Sequence, residues 1–459
     1  MQFIVANLTD KHIAILESGG AKAHTANDTS APLVVSPQVT ETFTPKHPKN
    51  IVFAQWDPTD ASKEAEFNVN TGGFALQFSM MFGASWQPMK LPEECPWRIY
   101  TVKLSRKIRK LVVLSRRDLS KFLSDLPDSL RLSSLALPGT HDSMAFYGWP
   151  VSQCQSLSTS LAVQLAGGIR VLDVRFAVVD GRLISYHGVY PQRTPFLDIL
   201  STIRDFLTSS PRETIVMSIK QEDYTRTTWQ NFSALVRDEI STGPGGKEMW
   251  FFENRIPKLG EVRGKVVLLS RFGGNGDGWE GGLEGLGIHP TSWPDSEKSG
   301  FTWNCKDTLV RTHDWYNIPS FLSIPEKVAL STQILLPPPN NPPMPVLSIT
   351  YFSAASFPLA FPPTIAHGFG WPKAGLGVEG VNSRIGKWLL DQLGSDVERS
   401  EAPAASEKEK QDFDGPSGVD DVRIRGWAFM DFYAEPENAV VPLLVECNHR
   451  GRRSGEEGW

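Results

Sequence analysis

Two histidines that each end a short apolar run are the residues of this chain best suited to chemistry. His141 follows the run 135–140, and His187 closes the run 183–187. Arg175 ends a third apolar run that lies between them in the sequence. A base, an acid and a fixed cation are the groups that in-line phosphoryl transfer requires. These residues therefore predict the cleavage of a phosphodiester.

Strand-like runs that alternate with helix-like segments must position those side chains. Eight strand-like runs follow residue 131, at 134–137, 169–175, 183–187, 214–220, 265–271, 308–314, 346–353 and 427–432. Helical periodicity occupies 195–209, 229–240, 324–334 and 378–393. This alternation predicts an α/β fold, namely a (β/α)8 TIM-type barrel in a regular or irregular form.

Catalytic groups in such barrels collect at the C-terminal ends of the strands. Seven ionisable side chains of this chain lie at or just beyond the predicted strand ends. They are His141, Arg175, His187, Lys220, Arg271, Asp314 and Asp431. The predicted fold and the predicted chemistry therefore support each other.

The first part of the chain has a different pattern. Short alternating runs in residues 1–110, separated by Asp, Asn, Pro and Gly, predict a small all-β accessory domain resembling a sandwich. The sequence does not predict a binding partner for this accessory domain, and a purely structural role is an open alternative. Residues 111–130 are predicted to form a basic linker, and 131–450 the catalytic barrel. The basic, partly apolar stretch 103–122 fits either a solvated connection or a contact with an anionic membrane.

Two insertions interrupt the barrel region. Residues 336–345 are rich in proline and predict a rigid connector, with an SH3-type ligand as the less favoured alternative. Residues 394–420 are rich in Glu, Asp, Ser, Ala and Lys and predict a disordered acidic insertion.

Net charge and hydropathy argue against two classes of protein, namely non-specific nucleic-acid binders and membrane-spanning proteins. The 46 basic and 51 acidic residues give a formal net charge of −5, which argues against non-specific nucleic-acid binding. Neither a secretory signal nor an apolar run of the ~18 residues needed to span a bilayer is visible in the sequence. We therefore expect a cytoplasmic or peripheral membrane protein, with unconventional secretion left open.

Four segments resemble the X domain of phosphatidylinositol-specific phospholipases C. They are Leu-Pro-Gly-Thr-His-Asp-Ser at 137–143, Leu-Asp-Val-Arg at 172–175, Tyr-His-Gly at 186–188, and Glu-Thr-Ile-Val-Met-Ser-Ile-Lys at 213–220. Weaker similarity follows at 268–272, 314–316 and 429–432. The chain looks most similar to the bacterial-type, metal-independent branch, with a fungal-like elaboration.

The resemblance implies a phospholipase C reaction that converts phosphatidylinositol to diacylglycerol and inositol 1,2-cyclic phosphate. His141 would take the proton of the inositol 2-hydroxyl, which then attacks phosphorus within the same molecule. His187 would protonate the departing diacylglycerol oxygen. Arg175 would bind the non-bridging phosphate oxygens through its planar fork of donors.

The resemblance also implies supporting roles for other side chains. Asp431 would orient His141, Asp142 would assist at the leaving group, and Asp173 would position its neighbours. Four residues would bind the inositol hydroxyls or stack on the ring, namely Lys220, Arg271, Asp314 and Tyr316.

The residue types argue against a metal ion or another cofactor. Calcium-dependent relatives carry an amide after the first histidine and acidic residues on the next strand, whereas Asp142 and Arg175 stand at these places here. A guanidinium would repel a divalent cation and replace its electrostatic effect. We therefore expect turnover without a metal.

Two alternatives to this function stay open. One is a phosphodiesterase for another lipid, including a glycosylated inositol lipid. The other is a non-catalytic lipid-binding scaffold that keeps the shape of an X domain. We expect phosphatidylinositol in membranes as the partner, with transient binding to the membrane surface and no nucleic-acid partner.

Overall fold

The computed structural model describes residues 1–17, 32–46, 51–56, 74–76, 85–273, 287–340, 342–371, 376–400 and 423–452. These residues divide into two units. The first draws on Met1–Arg117 and on the segment that begins at Lys387, and the second on Asp118–Pro372, Leu376–Gly386 and Val422–Trp459.

In the described part of the first unit, nine strands form two sheets, in the orders β4-β1-β9-β8-β7 and β3-β2-β5-β6. The strands are β1 (Gln2–Asn7), β2 (His12–Glu17), β3 (Leu33–Val35), β4 (Val39–Phe43), β5 (Ile51–Trp56), β6 (Phe74–Leu76), β7 (Trp86–Pro88), β8 (Trp97–Lys103) and β9 (Ile108–Ser115). All pairings are antiparallel except that of β1 with β9.

Alternating apolar residues build the core of this unit. Phe3 and Val5 on β1, and Ile13 and Ile15 on β2, belong to one buried cluster that draws on both sheets. Successive side chains of a strand point to opposite faces, so this two-residue period places one face of each sheet in the core.

The second unit contains an eleven-stranded, curled sheet with the order β15-β16-β14-β11-β10-β22-β19-β18-β17, and β12 and β13 branch from β11. Its strands are β10 (Ala136–Thr140), β11 (Val171–Val179), β12 (Arg182–His187), β13 (Tyr190–Pro195), β14 (Ile215–Gln221), β15 (Trp250–Phe251), β16 (Val266–Arg271), β17 (Phe301–Cys305), β18 (Thr308–His313), β19 (Val346–Tyr351) and β22 (Gly426–Met430). Strands β20 (Gly368–Trp371) and β21 (Leu376–Glu379) form a separate hairpin.

Helices connect many of these strands. Across the described residues they are α1 (Leu161–Ala166), α2 (Phe196–Ser209), α3 (Trp229–Thr242), α4 (Ile324–Gln333), α5 (Pro362–His367), α6 (Val381–Ser400) and α7 (Val440–Glu446). Helix α2 shows why such a segment folds beside the sheet. It buries Phe196, Ile199, Leu200, Ile203 and Leu207, whose spacing forms one apolar stripe of a helix.

The central strands are parallel and buried. Strand β14 pairs in parallel with β11 on one side and β16 on the other. Residues 266–270 of β16, which read Val-Val-Leu-Leu-Ser, are all buried. A nearly continuous apolar run is typical of parallel strands that are covered on both faces. Such strands form a rigid base for polar side chains at their C-terminal ends.

One of the eight predicted barrel strands is wrong. The run 183–187 does not join the parallel sheet, because β12 pairs antiparallel with the extension of β11 and then with β13. Asp180 and Gly181 both have positive φ and form the tight turn between these strands. An Asp-Gly pair favours such a hairpin turn, and this local signal determined the structure.

Two predicted boundaries also differ. The first residues of the predicted linker 111–130 belong to β9, which extends to Ser115 and pairs with β1 and β8. The predicted disordered insertion 394–420 begins within α6, since that helix reaches Ser400. Residues 401–420 lie outside the described residues. The proline-rich segment 336–345 contains neither helix nor strand in its described residues.

Candidate active site

Polar side chains meet at the C-terminal ends of the parallel strands. The register pairs Arg175 of β11 with Lys220 of β14, and Lys220 with Arg271 of β16. These three cations therefore form a row across neighbouring strands, on the same face of the sheet. His141 directly follows β10, and Asp431 directly follows β22. A row of basic groups beside an imidazole is suited to an anionic ligand.

The His141 ring is held at both nitrogens. Its Nδ1 lies 2.8 Å from Oδ1 of Asp431, and its Nε2 lies 2.6 Å from Nη2 of Arg175. A guanidinium can only donate, so Nε2 must accept and the ring proton must be on Nδ1, where it is donated to Asp431. The backbone adds a further constraint, since Gln155 Nε2 donates to the carbonyl oxygens of His141 and Met430.

Burial favours the neutral form of the His141 imidazole. Burial, reinforced by the positive charge of Arg175, lowers the pKa of His141 well below its ordinary value. Burial also raises the pKa of the Asp431 carboxyl well above its usual range. Burial and the neighbouring guanidinium thus favour a neutral ring whose Nε2 carries no proton.

His187 faces His141 at a distance suited to a small bound group. The two ring centroids are 6.2 Å apart and the rings are perpendicular. Nδ1 of His187 donates to the Ser152 carbonyl at 2.8 Å, which leaves Nε2 to face the site. That Nε2 lies 3.5 Å from Oδ2 of Asp142, and so does Nε2 of His141. The Asp142 carboxylate is thus shared between the two imidazoles.

Three carboxylates surround the Arg175 guanidinium. It lies 3.0 Å from Asp173, 3.1 Å from Asp142 and 3.4 Å from Glu222. Burial lowers the pKa of Arg175, but Asp142 and Asp173 outweigh this and raise it well above its usual value. Burial likewise opposes ionisation of Asp173, yet Arg175 and Arg271 hold the pKa of Asp173 below its ordinary value. The cation is thereby fixed in charge and in position.

We call His141, Asp142, Arg175, His187 and Asp431 the histidine cluster. The opposite side of the site, the arginine wall, consists of Lys220, Arg271, Asp314 and Tyr316. Its members and four members of the histidine cluster line one cavity of about 690 Å³. Asp142 and Asp173 are the predicted site residues that do not line this cavity, because they lie buried behind Arg175.

Aromatic side chains organise the arginine wall. The Arg271 guanidinium lies 3.9 Å from the centre of the Trp293 ring and donates to the Tyr351 hydroxyl at 3.1 Å. Trp293 in turn donates its indole N–H to Asp314 at 2.8 Å. Tyr316 donates to Asp295 at 2.5 Å and is 41% exposed. The wall therefore presents fixed charges and one accessible ring to the cavity.

Sequence reasoning missed several members of the site. Glu222 directly follows β14 and accepts from Lys220 at 3.0 Å, so its spacing of two residues from Lys220 was an available signal. Ser152 and Gln155 act from a loop whose sequence gives no comparable signal. Trp293 and Tyr351 touch Arg271 from distant parts of the chain, which no local pattern reveals.

One group of side chains has the proximity of a metal site. Within the part of the chain that the structure describes, His141, Asp142 and Cys154 offer ligand atoms within 4.8 Å of one another. The Arg175 guanidinium lies 2.6 Å from His141 and 3.1 Å from Asp142. A fixed positive charge at these distances disfavours a cation at the same place.

Part of the chain that builds this site matches a known family. Residues 147–272 match the family model described as the phosphatidylinositol-specific phospholipase C X domain. The predicted resemblance is confirmed. This matched segment contains Arg175, His187, Lys220 and Arg271, which are distributed over both sides of the cavity.

Curated relatives from two bacteria match part of this chain. A 1-phosphatidylinositol phosphodiesterase of Listeria monocytogenes is 35% identical over 161 residues, which cover 33% of this chain and 48% of the relative. One from Staphylococcus aureus is 29% identical over 163 residues and 33% of this chain, and 51% of that relative is covered. The chain thus spans about half the length of the curated relatives it matches.

Solved structures support the fold beyond the matched sequence. Two structures of the Staphylococcus aureus phosphatidylinositol-specific phospholipase C match with TM-scores of 0.52 and 0.51 at 21% identity. Each match covers 72% of this chain and 98% of the solved chain. The likeness shows an α/β fold of the TIM-barrel type, as the sequence predicted.

Proposed function

We propose that this protein cleaves phosphatidylinositol to diacylglycerol and inositol 1,2-cyclic phosphate, as a phosphatidylinositol-specific phospholipase C. One observation carries the proposal: two imidazoles face each other across 6.2 Å with a guanidinium beside them. The names of the matched relatives, which are 1-phosphatidylinositol phosphodiesterases, support the same substrate class.

In the proposed first step, Nε2 of His141 removes the proton of the inositol 2-hydroxyl. The hydroxyl oxygen then attacks phosphorus, and a cyclic phosphodiester forms. The lowered pKa of His141 keeps the base free, and the hydrogen bond from Nδ1 to Asp431 holds the ring in place. This nucleophile belongs to the substrate itself, so no covalent enzyme intermediate is needed.

In the same displacement, His187 donates a proton from Nε2 to the diacylglycerol oxygen as its bond to phosphorus breaks. The Ser152 carbonyl holds Nδ1–H, which directs Nε2 into the cavity. Asp142, at 3.5 Å from Nε2, stabilises the protonated ring electrostatically. Deprotonated His187 and protonated His141 remain after the step, so the proton count balances.

Arg175 supplies the charge stabilisation of the proposed reaction. Its Nη2 lies within hydrogen-bonding distance of His141 Nε2. In the proposed reaction this Nη2 is next to the phosphate that the 2-hydroxyl attacks. Asp173 and Asp142 anchor the guanidinium, so its donors are preorganised. We propose that this fixed cation makes a metal ion unnecessary.

The arginine wall binds the inositol in this proposal. Lys220, Arg271 and Asp314 provide donors and acceptors for ring hydroxyls, and Tyr316 provides an exposed ring face for stacking. A cavity of about 690 Å³ is within the usual range for small-molecule sites.

We further propose that the second unit meets the membrane around this cavity. Exposed apolar side chains stand next to cavity-lining residues: Trp149 (66% exposed) near Val151, Val189 (84%) after Gly188, and Phe357 (78%) between Ala355 and Pro362. The Staphylococcus aureus enzyme is itself associated with membrane binding. Across the described residues, no helix is long and apolar enough to cross a bilayer. We propose that the protein binds the membrane peripherally. In this proposal residues 1–110 form an all-β accessory domain beside the catalytic barrel in the sequence.

The decisive test offers phosphatidylinositol and phosphatidylcholine in mixed micelles, with and without a chelator. We expect inositol 1,2-cyclic phosphate from phosphatidylinositol alone, at a rate that the chelator does not change. Loss of activity with chelator would contradict the role of Arg175. Lipid binding with no product from either lipid would instead indicate a scaffold, and product only from another lipid would indicate a different phosphodiesterase.

A further inference from the structure

An ordered basic hairpin projects from the first unit. Residues 104–107 connect β8 to β9, and these four residues and Lys103, the last residue of β8, are all exposed. The register pairs Lys103 with Arg109 at the base of the turn. Backbone N–H groups of Leu104 and Ser105 donate to the Ile108 carbonyl. The turn is therefore held by its own backbone, and its side chains are directed outward.

The charge of this hairpin is strongly one-sided. Residues 103–117 contain seven basic residues and no acidic residue. None of the hairpin cations Lys103, Arg106, Lys107 and Arg109 forms an ion pair with a residue that the structure describes. Lys110, on the same strand, differs because it is buried and donates to the Gly394 carbonyl. The hairpin cations thus have no structural partner comparable to that of Lys110.

An apolar side chain stands at the tip among these charges. Leu104 is 51% exposed and lies between Lys103 and Arg106 in the sequence. A leucine flanked by lysine and arginine matches the surface of an anionic bilayer, where the cations meet lipid phosphates and the apolar group enters the interface.

We propose that this hairpin is an electrostatic anchor for membranes rich in anionic lipid. The proposal deepens the proposed function and rests on it, since phosphatidylinositol is itself an anionic membrane lipid. The anchor differs from the apolar side chains around the cavity, because its attraction depends on charge and is screened by salt.

A nucleic-acid partner fits the hairpin less well. Residues 103–109 contain no aromatic side chain on which a base could stack. An exposed leucine contributes little to a phosphate backbone, and the formal net charge of the whole chain is −5. The combination of charge and apolar tip therefore favours a lipid surface.

The test measures cosedimentation of the full chain with vesicles of phosphatidylcholine, with or without phosphatidylglycerol, which is anionic but carries no inositol. We expect the wild type to bind the phosphatidylglycerol vesicles, and to lose this binding at high salt. The triple variant Lys103→Glu, Arg106→Glu, Lys107→Glu should bind about 100-fold more weakly, at roughly a tenfold loss for each 1.4 kcal/mol. Leu104→Ser should show a smaller, salt-independent loss.

A charge-matched control uses three exposed basic residues of the second unit, in the variant Arg204→Glu, Lys247→Glu, Lys306→Glu. This control should bind nearly as the wild type does, if the hairpin and not net charge is responsible. Equal weakening by both triple variants would overturn the proposal. Unchanged vesicle binding of the hairpin variant, with loss of RNA binding, would identify a nucleic-acid surface instead.

Catalysis is measured separately in detergent micelles, where electrostatic anchoring is not required. The hairpin variant should cleave phosphatidylinositol there at the wild-type rate. If the wild type binds phosphatidylglycerol vesicles but cleaves no phosphatidylinositol, the proposed function fails and the anchor stands. If it cleaves but shows no preference for phosphatidylglycerol, the anchor fails and the function stands.

Discussion

The histidine cluster and the arginine wall face the same cavity but are built differently. In the histidine cluster each polar group touches the next, from Asp431 through His141 to Arg175 and Asp142, at 2.6 to 3.1 Å. In the arginine wall, Arg271 and Asp314 are 3.8 Å apart and are organised by the Trp293 ring between them. Directly linked charges act as one unit, whereas side chains held by packing contribute more independently.

The largest expected effect comes from removing either imidazole. His141→Ala and His187→Ala should each lower kcat for phosphatidylinositol by about 10²–10⁴-fold, because each removes one partner of general acid–base catalysis. Product formation in mixed micelles measures this effect. His12→Gln in the first unit is the matched control and should keep wild-type activity. Full activity of either alanine variant would exclude its histidine from the reaction.

The next largest effect tests the shape of the cation. Arg175→Lys keeps the charge but loses the planar fork of donors, so kcat should fall by about 10²–10³-fold. The control variant Arg204→Lys, at an exposed position, should keep the kcat of the wild type. Because the histidine cluster acts as a unit, the double variant with His141→Ala should be scarcely worse than His141→Ala alone. If the losses of kcat in the two single variants multiply in the double variant, the histidine cluster does not act as a unit and does not differ from the arginine wall in this respect.

Smaller and separable effects are expected in the arginine wall. Lys220→Met and Tyr316→Ala should each reduce kcat/KM by about tenfold, chiefly through KM, because one polar contact or one stacking contact to the substrate is lost. The two losses should multiply in the double variant. Steady-state kinetics on both single variants and the double variant measure this, with Lys306→Met as the control. A fall in kcat at unchanged KM would place these residues in the chemical step.

The smallest effect concerns the acid limb of the pH profile. Burial and Arg175 lower the pKa of His141, so the base stays neutral and active well below the ordinary value of about 6.5. Activity should fall only as the pH drops through that lowered pKa. Arg175→Gln removes the positive charge, which should raise the pKa of His141 and move the acid limb of its residual kcat/KM to higher pH. A limb that stays fixed would show that another group controls it.

Much of the histidine cluster could be predicted because its residues end apolar runs. His141 and Asp431 directly follow the largely apolar strands β10 and β22, and Arg175 lies within β11 at the end of the apolar run 169–175, so their position at one edge of the parallel sheet follows from the strand pattern. His187 was identified by the same reasoning, although its strand is an antiparallel hairpin strand and not part of the parallel barrel. The structure places His187 at the cavity, on a strand of a different kind from the one predicted.

The error at His187 has a local cause. Apolar alternation alone does not distinguish a parallel barrel strand from the second strand of a hairpin. The Asp180–Gly181 turn was the deciding signal, since both residues adopt positive φ and connect paired strands without a crossover. The Asp-Gly turn by itself therefore predicts β12 as a hairpin strand paired with β11.

The sequence by itself determined which residue types follow or end the apolar runs, and hence which side chains we propose as the acid, the base and the cation of the histidine cluster. Only the tertiary structure decided how they are coupled. It placed Arg175 on Nε2 of His141, brought Ser152 to Nδ1 of His187, and stacked Trp293 on Arg271. These contacts join residues 22 to 35 positions apart through the chain's path across the sheet and its loops. Side-chain distance and burial set proton positions and pKa values, and neither is a property of local sequence.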